Sequence, residues 1–256
     1  MKTKRKPAKR KTTALIDGDI LLYQAACSVE KEIDWGNDMW TLHSDAREAK
    51  MMFDIAIADI MGATRADDLI LCFSSPNNWR FRVLTDYKAN RIGTRKPICY
   101  AGVKEYAESC YETRTYATLE ADDVIGLLAT APGAERDYIM VSQDKDFKSI
   151  PGAHYNPRTD EFFRVDLAAA NRFHMYQTLV GDQTDNYKGC PGIGPVKAEA
   201  ALGDLTSWES VVACFTKAGL TEEDALVQAR VSRILRHGEY NKMTCEVKLW
   251  TPAHLQ

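Results

Sequence analysis

Three uninterrupted apolar runs constrain the fold of this 256-residue chain more than any other feature: Ala14-Leu15-Ile16, Leu69-Ile70-Leu71-Cys72-Phe73 and Tyr138-Ile139-Met140-Val141. A strand with one wet face alternates apolar and polar residues, whereas a strand that stays apolar throughout is covered on both faces. Between these runs the period changes. Met51, Met52, Ile55, Ala56, Ala58 and Ile60 recur at helical spacing, which predicts a helix over 45–62. Buried strands alternating with helices predict an α/β fold with a central, mostly parallel sheet flanked by helices. Ligands of such sheets bind beyond the carboxyl ends of the strands. Here those ends carry Asp17 and Asp19, then Ser74 and Ser75, then Asp144 and Asp146.

The length suits one large domain with at most a small addition. No apolar run approaches the ~20 residues of a membrane span, so no membrane association is expected. Net charge is -3, but the first 13 residues hold seven basic side chains and no acid. The remainder carries 26 basic against 36 acidic residues. The start therefore reads as a basic disordered tail, residues 1–13, either solubilising or touching nucleic acid. No apolar segment follows it, so it is not a secretory signal, and a cytoplasmic location is expected. The seven cysteines are an odd number, lie far apart and form no Cys-x-x-Cys pair, as reduced packed thiols do.

Residues 77–104 form a basic and aromatic insertion in an otherwise acidic protein. Arg80, Arg82, Lys88, Arg91, Arg95, Lys96 and Lys104 face one acid, Asp86, with Trp79, Phe81, Tyr87 and Tyr100 interleaved. An α/β core is expected over 14–165. A helical part over 166–256 follows, broken by Gly189-Cys190-Pro191-Gly192-Ile193-Gly194-Pro195, with a short edge strand at Glu246–Trp250. Glycines ahead of a helix let backbone N–H groups approach phosphates, and Lys197 adds a charge. Two helices about such a turn grip a DNA backbone without reading its sequence, although the same turn also serves as an ordinary interhelical link.

Chemistry is concentrated in the carboxylates. Asp17 and Asp19 follow the first strand, Glu120, Asp122 and Asp123 open a helix, Asp144 and Asp146 follow the third strand, and Asp182 and Asp185 share a face if their turn is helical. Each cluster alone also reads as a cap or turn. Together at one sheet edge they would repel one another unless a cation neutralised them. Oxygen donors without His or Cys suit Mg²⁺, with Mn²⁺ as a substitute, rather than Zn²⁺. Two such ions serve phosphodiester hydrolysis. The five histidines are scattered, and no Cys/His pair or nucleophile elbow is present.

Ile16-Asp17-Gly18-Asp19, Tyr87-Lys88-Ala89-Asn90-Arg91, Leu119–Gly126, Ser142–Ile150 and Gly181–Lys197 occur in this order. The chain thereby resembles the FEN-like structure-specific 5′ nucleases from about Ala14 to its end. Thr221-Glu222-Glu223-Asp224, Arg233–Arg236 and Glu239-Tyr240-Asn241 look more specifically like the exonucleases of T7-like phages. The resemblance implies a PIN/FEN-like fold and 5′-3′ exonuclease and flap endonuclease activity with two Mg²⁺ ions, leaving 5′-phosphates. Asp17, Glu120, Asp122 and Asp144 would organise the first metal, and Asp123, Asp146, Asp182 and Asp185 the second. Asp19 is an additional candidate ligand. Lys88 and Arg91 would stand beside the scissile phosphate. The basic zone, with Tyr87, Arg95 and Lys96, would form an arch over the single-stranded 5′ end. Gly192, Gly194 and Lys197 would belong to a helix-three-turn-helix element holding duplex phosphates, with K⁺ at its turn near Cys190 and Ile193. The implied partners are DNA with 5′ ends or flaps, RNA/DNA hybrids and replication proteins. A monomer working in infected bacterial cytoplasm is implied as well.

One departure bears on activity. The family usually carries a metal-site aspartate after the second strand, where this chain reads Phe73-Ser74-Ser75-Pro76, so Ser75 takes its place; either Asp19 supplies the missing charge or the first metal binds more weakly. Two alternatives follow. One is a non-catalytic DNA-end-binding protein on a nuclease fold. The other is a PIN-like ribonuclease, which the basic insertion and the Gly-x-Gly element disfavour.

Overall fold

A computed structural model of the chain describes residues 10–133, 136–204 and 206–252. The main sheet has six strands, β1 (Lys11–Asp17), β4 (Asp68–Cys72), β5 (Thr113–Arg114), β6 (Arg136–Val141), β7 (Gly152–Asn156) and β8 (Glu161–Val165), in the order β5-β4-β1-β6-β7-β8. All neighbours are parallel except β7 and β8. The three apolar runs are its three central strands, with Leu15 opposite Ile70 on one side and Met140 on the other. Their side chains alternate between two cores. Ala14 and Ile16 face a layer of α1 (Gly18–Ser28), α2 (Ala46–Thr64) and α3 (Tyr100–Cys110). Leu15 faces α4 (Ala121–Ala129) together with Ile234 and Leu235. Both faces are covered, which is why these strands carry no polar alternation.

β1 begins at Lys11, inside the segment expected to be tail, because Lys11 and Thr12 pair with Arg136 and Asp137. Of that expected tail, residues 1–9 lie outside the described residues. Asp17-Gly18-Asp19 is a helix start rather than a free turn. Asp17 caps α1, and Gly18 packs so closely on the neighbouring strand that a Cβ there would lie 2.3 Å from the Phe73 ring. An antiparallel hairpin of β2 (Lys31–Asp34) and β3 (Trp40–His43) follows α1 and exposes Trp35, Met39 and Trp40.

The basic zone is only partly an open surface. Two short 3₁₀ turns, Trp79–Arg82 and Ala89–Arg91, run against the core, and Trp79, Arg80 and Tyr87 are buried. Beyond β8, helices α5 (Leu167–Val180), α6 (Pro195–Leu202), α7 (Trp208–Lys217) and α8 (Glu222–Ser232) enclose an apolar cluster of their own around Leu179, Leu202, Val211 and Phe215. Asp182 and Asp185 sit in a loop, not on a helical turn. Asp182 and Tyr187 pair across it, and Gly181 and Gly189, both at positive φ, meet backbone to backbone. The expected edge strand at 246–250 is shorter and lies elsewhere: β10 (Glu246–Val247) pairs with β9 (Tyr240–Asn241) in a separate two-stranded sheet. Among the described residues, no helix is long and apolar enough to cross a membrane.

Candidate active site

The acids converge because parallel strands end together. Asp17, the last residue of β1, accepts from the Ile20 N–H with Oδ1 (3.3 Å). In the first turn of α1, Asp19 reaches the segment just after β4: its Oδ2 accepts from the Ser74 N–H (2.8 Å), and its Oδ1 from the Tyr100 hydroxyl (3.1 Å). Ser74 Oγ in turn accepts from the Ala121 N–H (3.0 Å), which fixes the start of α4 and hence Glu120 and Asp122. Beyond β6, Asp144 caps the next 3₁₀ turn by accepting from the Asp146 N–H (2.9 Å). Each acid is thus held by the end of an element, the role that each cluster taken alone suggests.

Electrostatics separate two groups of acids. In the first, burial and the neighbouring Asp19 charge, with Asp144 adding to them, push the Asp17 carboxyl up to about 7. Burial, then Asp17 and Asp144, hold Asp122 well above the ordinary carboxylate range. Among the described residues no basic side chain forms an ion pair with Asp17, Asp19, Asp122 or Asp144. Like charges with no protein counter-ion are the arrangement that a cation relieves.

In the second group the chain supplies its own cations. Lys88 pairs with Glu120, and Arg80 approaches Glu120 Oε2 at 3.1 Å. The Tyr87 hydroxyl lies between Glu120 (3.0 Å) and Asp185 (2.9 Å). Arg91 Nη2 donates to Asp185 (2.7 Å), and Lys88 Nζ is 3.5 Å from it. Burial alone would raise Glu120, but the Lys88 and Arg80 charges hold it down at about 2. Lys145 bridges Asp182 and Asp146, 3.1 Å from the latter. Burial raises Asp146 to about 6, with Asp144 adding to it and Lys145 opposing. For Asp182 burial is outweighed by Lys145 and two backbone N–H bonds, so its carboxyl lies below the ordinary range.

The donor chemistry fits a divalent cation: the acids offer oxygen donors, and among the described residues neither His nor Cys hydrogen-bonds to them. As the side chains stand, among the described residues no three His, Cys, Asp or Glu groups already close on one ion. The fit lies in donor type and unrelieved charge rather than in a preformed cage.

Several expected site residues do something else. Asp123 is fully buried, and its carboxylate accepts from Arg80 Nη1 and Nη2, Trp79 Nε1 and the Leu235 N–H, so no oxygen is left for an ion. Tyr87 is 2% exposed and cannot offer its ring to a strand; its work is the hydroxyl bridge. Arg95 forks onto Glu30, and Lys96 lies over the Tyr100 ring, 4.2 Å from its centre. Gly194 caps α6 without a side chain, and Lys197 Nζ donates to the Gly192 carbonyl (2.9 Å) on an exposed surface. The Cys190 carbonyl accepts from the Ile193 N–H (3.1 Å). Next to Asp19 stands Ser74 rather than Ser75, whose N–H is taken by the Leu119 carbonyl (2.8 Å). In the sequence Arg80 is one charge of the basic zone and Lys145 stands among acids without a role of its own; neither carries a signal that sets it apart from its basic neighbours.

Comparison with known proteins gives the family and the fold. Residues 12–160 match the family model of the 5′-3′ exonuclease, N-terminal resolvase-like domain. The chain is 30% identical to the exodeoxyribonuclease of Enterobacteria phage T3, over 93% of this chain and 92% of that protein. It is also 30% identical to the exonuclease of Escherichia phage T7, over 93% of each. Among solved structures, the bacteriophage T5 flap endonuclease in a complex with DNA and metal ions superposes with a TM-score of 0.66 at 15% identity, covering 87% of this chain and 89% of that one.

Proposed function

The chain belongs to the 5′-3′ exonuclease family, and from that premise we propose that it is a divalent-metal-dependent nuclease cutting DNA from 5′ ends and at 5′ flaps. The observation that carries the reading is the group of Asp17, Asp19, Asp122 and Asp144, crowded at the sheet edge with no ion-pair partner among the described residues, Lys88 acting on Asp122 only from beyond ion-pair distance. These four, with Glu120, would hold one Mg²⁺, and Asp146, Asp182 and Asp185 a second, Mn²⁺ serving in either place. When bound, such ions supply an activated water and neutralise charge on the leaving oxygen.

The remaining work falls to the chain's own side chains. Lys88 and Arg91 border the acids and would exchange part of their contact with Glu120 and Asp185 for the scissile phosphate. Tyr87 keeps Glu120 and Asp185 at a fixed separation while they do so. The exposed Gly192–Lys197 surface would take duplex phosphates through backbone N–H groups and Lys197, with K⁺ at the turn near Cys190 and Ile193. Arg95 and Lys96, at the rim, would meet the 5′ strand. RNA/DNA hybrids as further substrates, a monomeric state, replication-protein partners and action in the bacterial cytoplasm complete the proposal.

Asp19 favours this reading over a non-catalytic end-binder. Its carboxylate stands on the Ser74 N–H and supplies a negative charge where the second strand ends without one. The α5–α8 layer with its Gly-rich loop favours it over a compact ribonuclease. The test is a gel assay on duplexes labelled at the 5′ or the 3′ end, with Mg²⁺, Mn²⁺ or EDTA. Short 5′-labelled products that vanish in EDTA support the proposal. Tight binding without cleavage in either metal supports the end-binder, and preferred cutting of single-stranded RNA supports the ribonuclease.

A further inference from the structure

Arg80 is 2% exposed, yet every N–H of its guanidinium is used. Nη1 and Nη2 fork onto Asp123 (2.7 and 2.8 Å), and Nη1 also reaches Glu120 Oε2 (3.1 Å). Nε donates to the Val231 carbonyl (2.9 Å), and Nη2 to the Arg233 carbonyl (2.6 Å). These last two carbonyls lie at the end of α8, in the helical part. The same junction is tied from the other side. The Leu235 N–H donates to Asp123, and Gly126 of α4 lies so close that a Cβ there would come within 2.3 Å of the Leu235 carbonyl. One buried side chain therefore touches a site acid, the buried acid three residues along, and the chain leaving the last helix. The Trp79 ring lies against it, with its centre 4.6 Å from the guanidinium carbon.

We infer that Arg80 is a positioning residue that aims the Glu120 carboxylate, its bonds to the chain leaving α8 serving to hold the guanidinium in place. Burial keeps it off the DNA, so it acts through Glu120. This rests on the reading of Glu120 as a metal-site acid given above. A guanidinium suits the task because its planar fork spans a carboxylate while its other N–H groups meet carbonyls; an ammonium offers three rotatable donors and no fork. Outer partners that orient a metal-binding carboxylate typically govern metal affinity by roughly 10–100-fold.

The test uses the full chain with Arg80→Lys, and with Arg80→Met combined with Asp123→Leu, which removes both buried charges together so that neither is stranded. Two readouts are taken on each variant: the midpoint of Mn²⁺-induced thermal stabilisation without DNA, and steady-state cleavage of a 5′-labelled duplex. The inference expects a folded variant whose Mn²⁺ midpoint rises at least about tenfold. It expects kcat to fall, KM for DNA to stay within about twofold, and part of the kcat to return at high Mn²⁺. A folded variant of either kind with the wild-type midpoint and wild-type kcat overturns it. So does a variant whose loss lies wholly in KM. If both variants unfold, cleavage and the Mn²⁺ midpoint of Asn171→Ala decide. This change weakens the junction through Arg236, which donates to Asn171 (2.8 Å) and to the Ser149 carbonyl, and leaves Glu120 alone. A midpoint shift there as large as that expected for Arg80 would overturn the inference, and none would support it. Wild-type protein that shows no metal-dependent cut refutes the nuclease reading itself, an outcome separate from these.

Discussion

The Arg80 guanidinium meets the Asp123 carboxylate in two parallel hydrogen bonds, 2.7 and 2.8 Å long, with the acid fully buried. Asp123 and its neighbour Asp122 consequently have opposite jobs, although both open the same helix. Removing one partner of a buried pair strands the other, at a cost of about 3–5 kcal/mol. Asp123→Ala is expected to lose that much stability in urea unfolding, well before any effect on metal binding. A loss below about 1 kcal/mol would show that Arg80 finds another partner.

Asp122→Asn and Asp17→Asn should behave in the reverse manner. Each removes a charge that burial and neighbouring carboxylates already disfavour. In EDTA at pH 8 each variant is expected to be more stable than wild type, by on the order of 1–2 kcal/mol, while its cleavage in Mg²⁺ is abolished. Wild-type turnover by either, or a clear loss of stability, would contradict the assignment of these acids.

That contrast marks where the sequence stops being legible. The central strands can be read directly because burial on both faces leaves unbroken apolar runs, as at Leu69–Phe73. α1 is hidden because it starts immediately after β1 through Gly18, a residue that usually signals a turn. The β2–β3 hairpin carries no apolar face toward the core, so no period announces it. Asp122 and Asp123 are equivalent in one dimension. Successive helical residues point about 100° apart, and only the packing of Arg80 and Leu235 decides which one faces the cleft. Asp182 and Asp185 come to the site on a loop closed by Gly181 and Gly189, a contact between backbones that leaves no spacing signal.

Lys88 is expected to matter for rate more than for affinity. It lies against Glu120 and Asp185 at the edge of the cluster, where charge develops on the phosphate. Lys88→Ala should lower kcat roughly 10²-fold with KM changed little. A loss confined to KM would place Lys88 in ground-state binding instead.

Two histidines give the protein an acid-sensitive core. Burial lowers His154 to about 4 and, helped by the Arg233 charge, holds His174 well below the ordinary histidine range. The unfolded chain binds these protons from about pH 6.5 downward and the folded chain does not. Their contribution is thus intact above about pH 6.5 and is lost as pH falls toward 4. Asp17, raised to about 7, pulls the other way in metal-free protein, so the comparison is with a variant. Between pH 7 and 5, wild type should lose more urea stability than His154→Gln. Parallel pH curves would contradict the assignment.

The most direct test of the central claim is calorimetric titration of Mn²⁺ into wild-type protein and Asp144→Asn at pH 7.5 without DNA. If the unpaired acids form the cation site, wild type binds Mn²⁺ and releases protons as it does so, and Asp144→Asn binds at least about tenfold more weakly. Equal binding by the two proteins, or none by wild type, would contradict it.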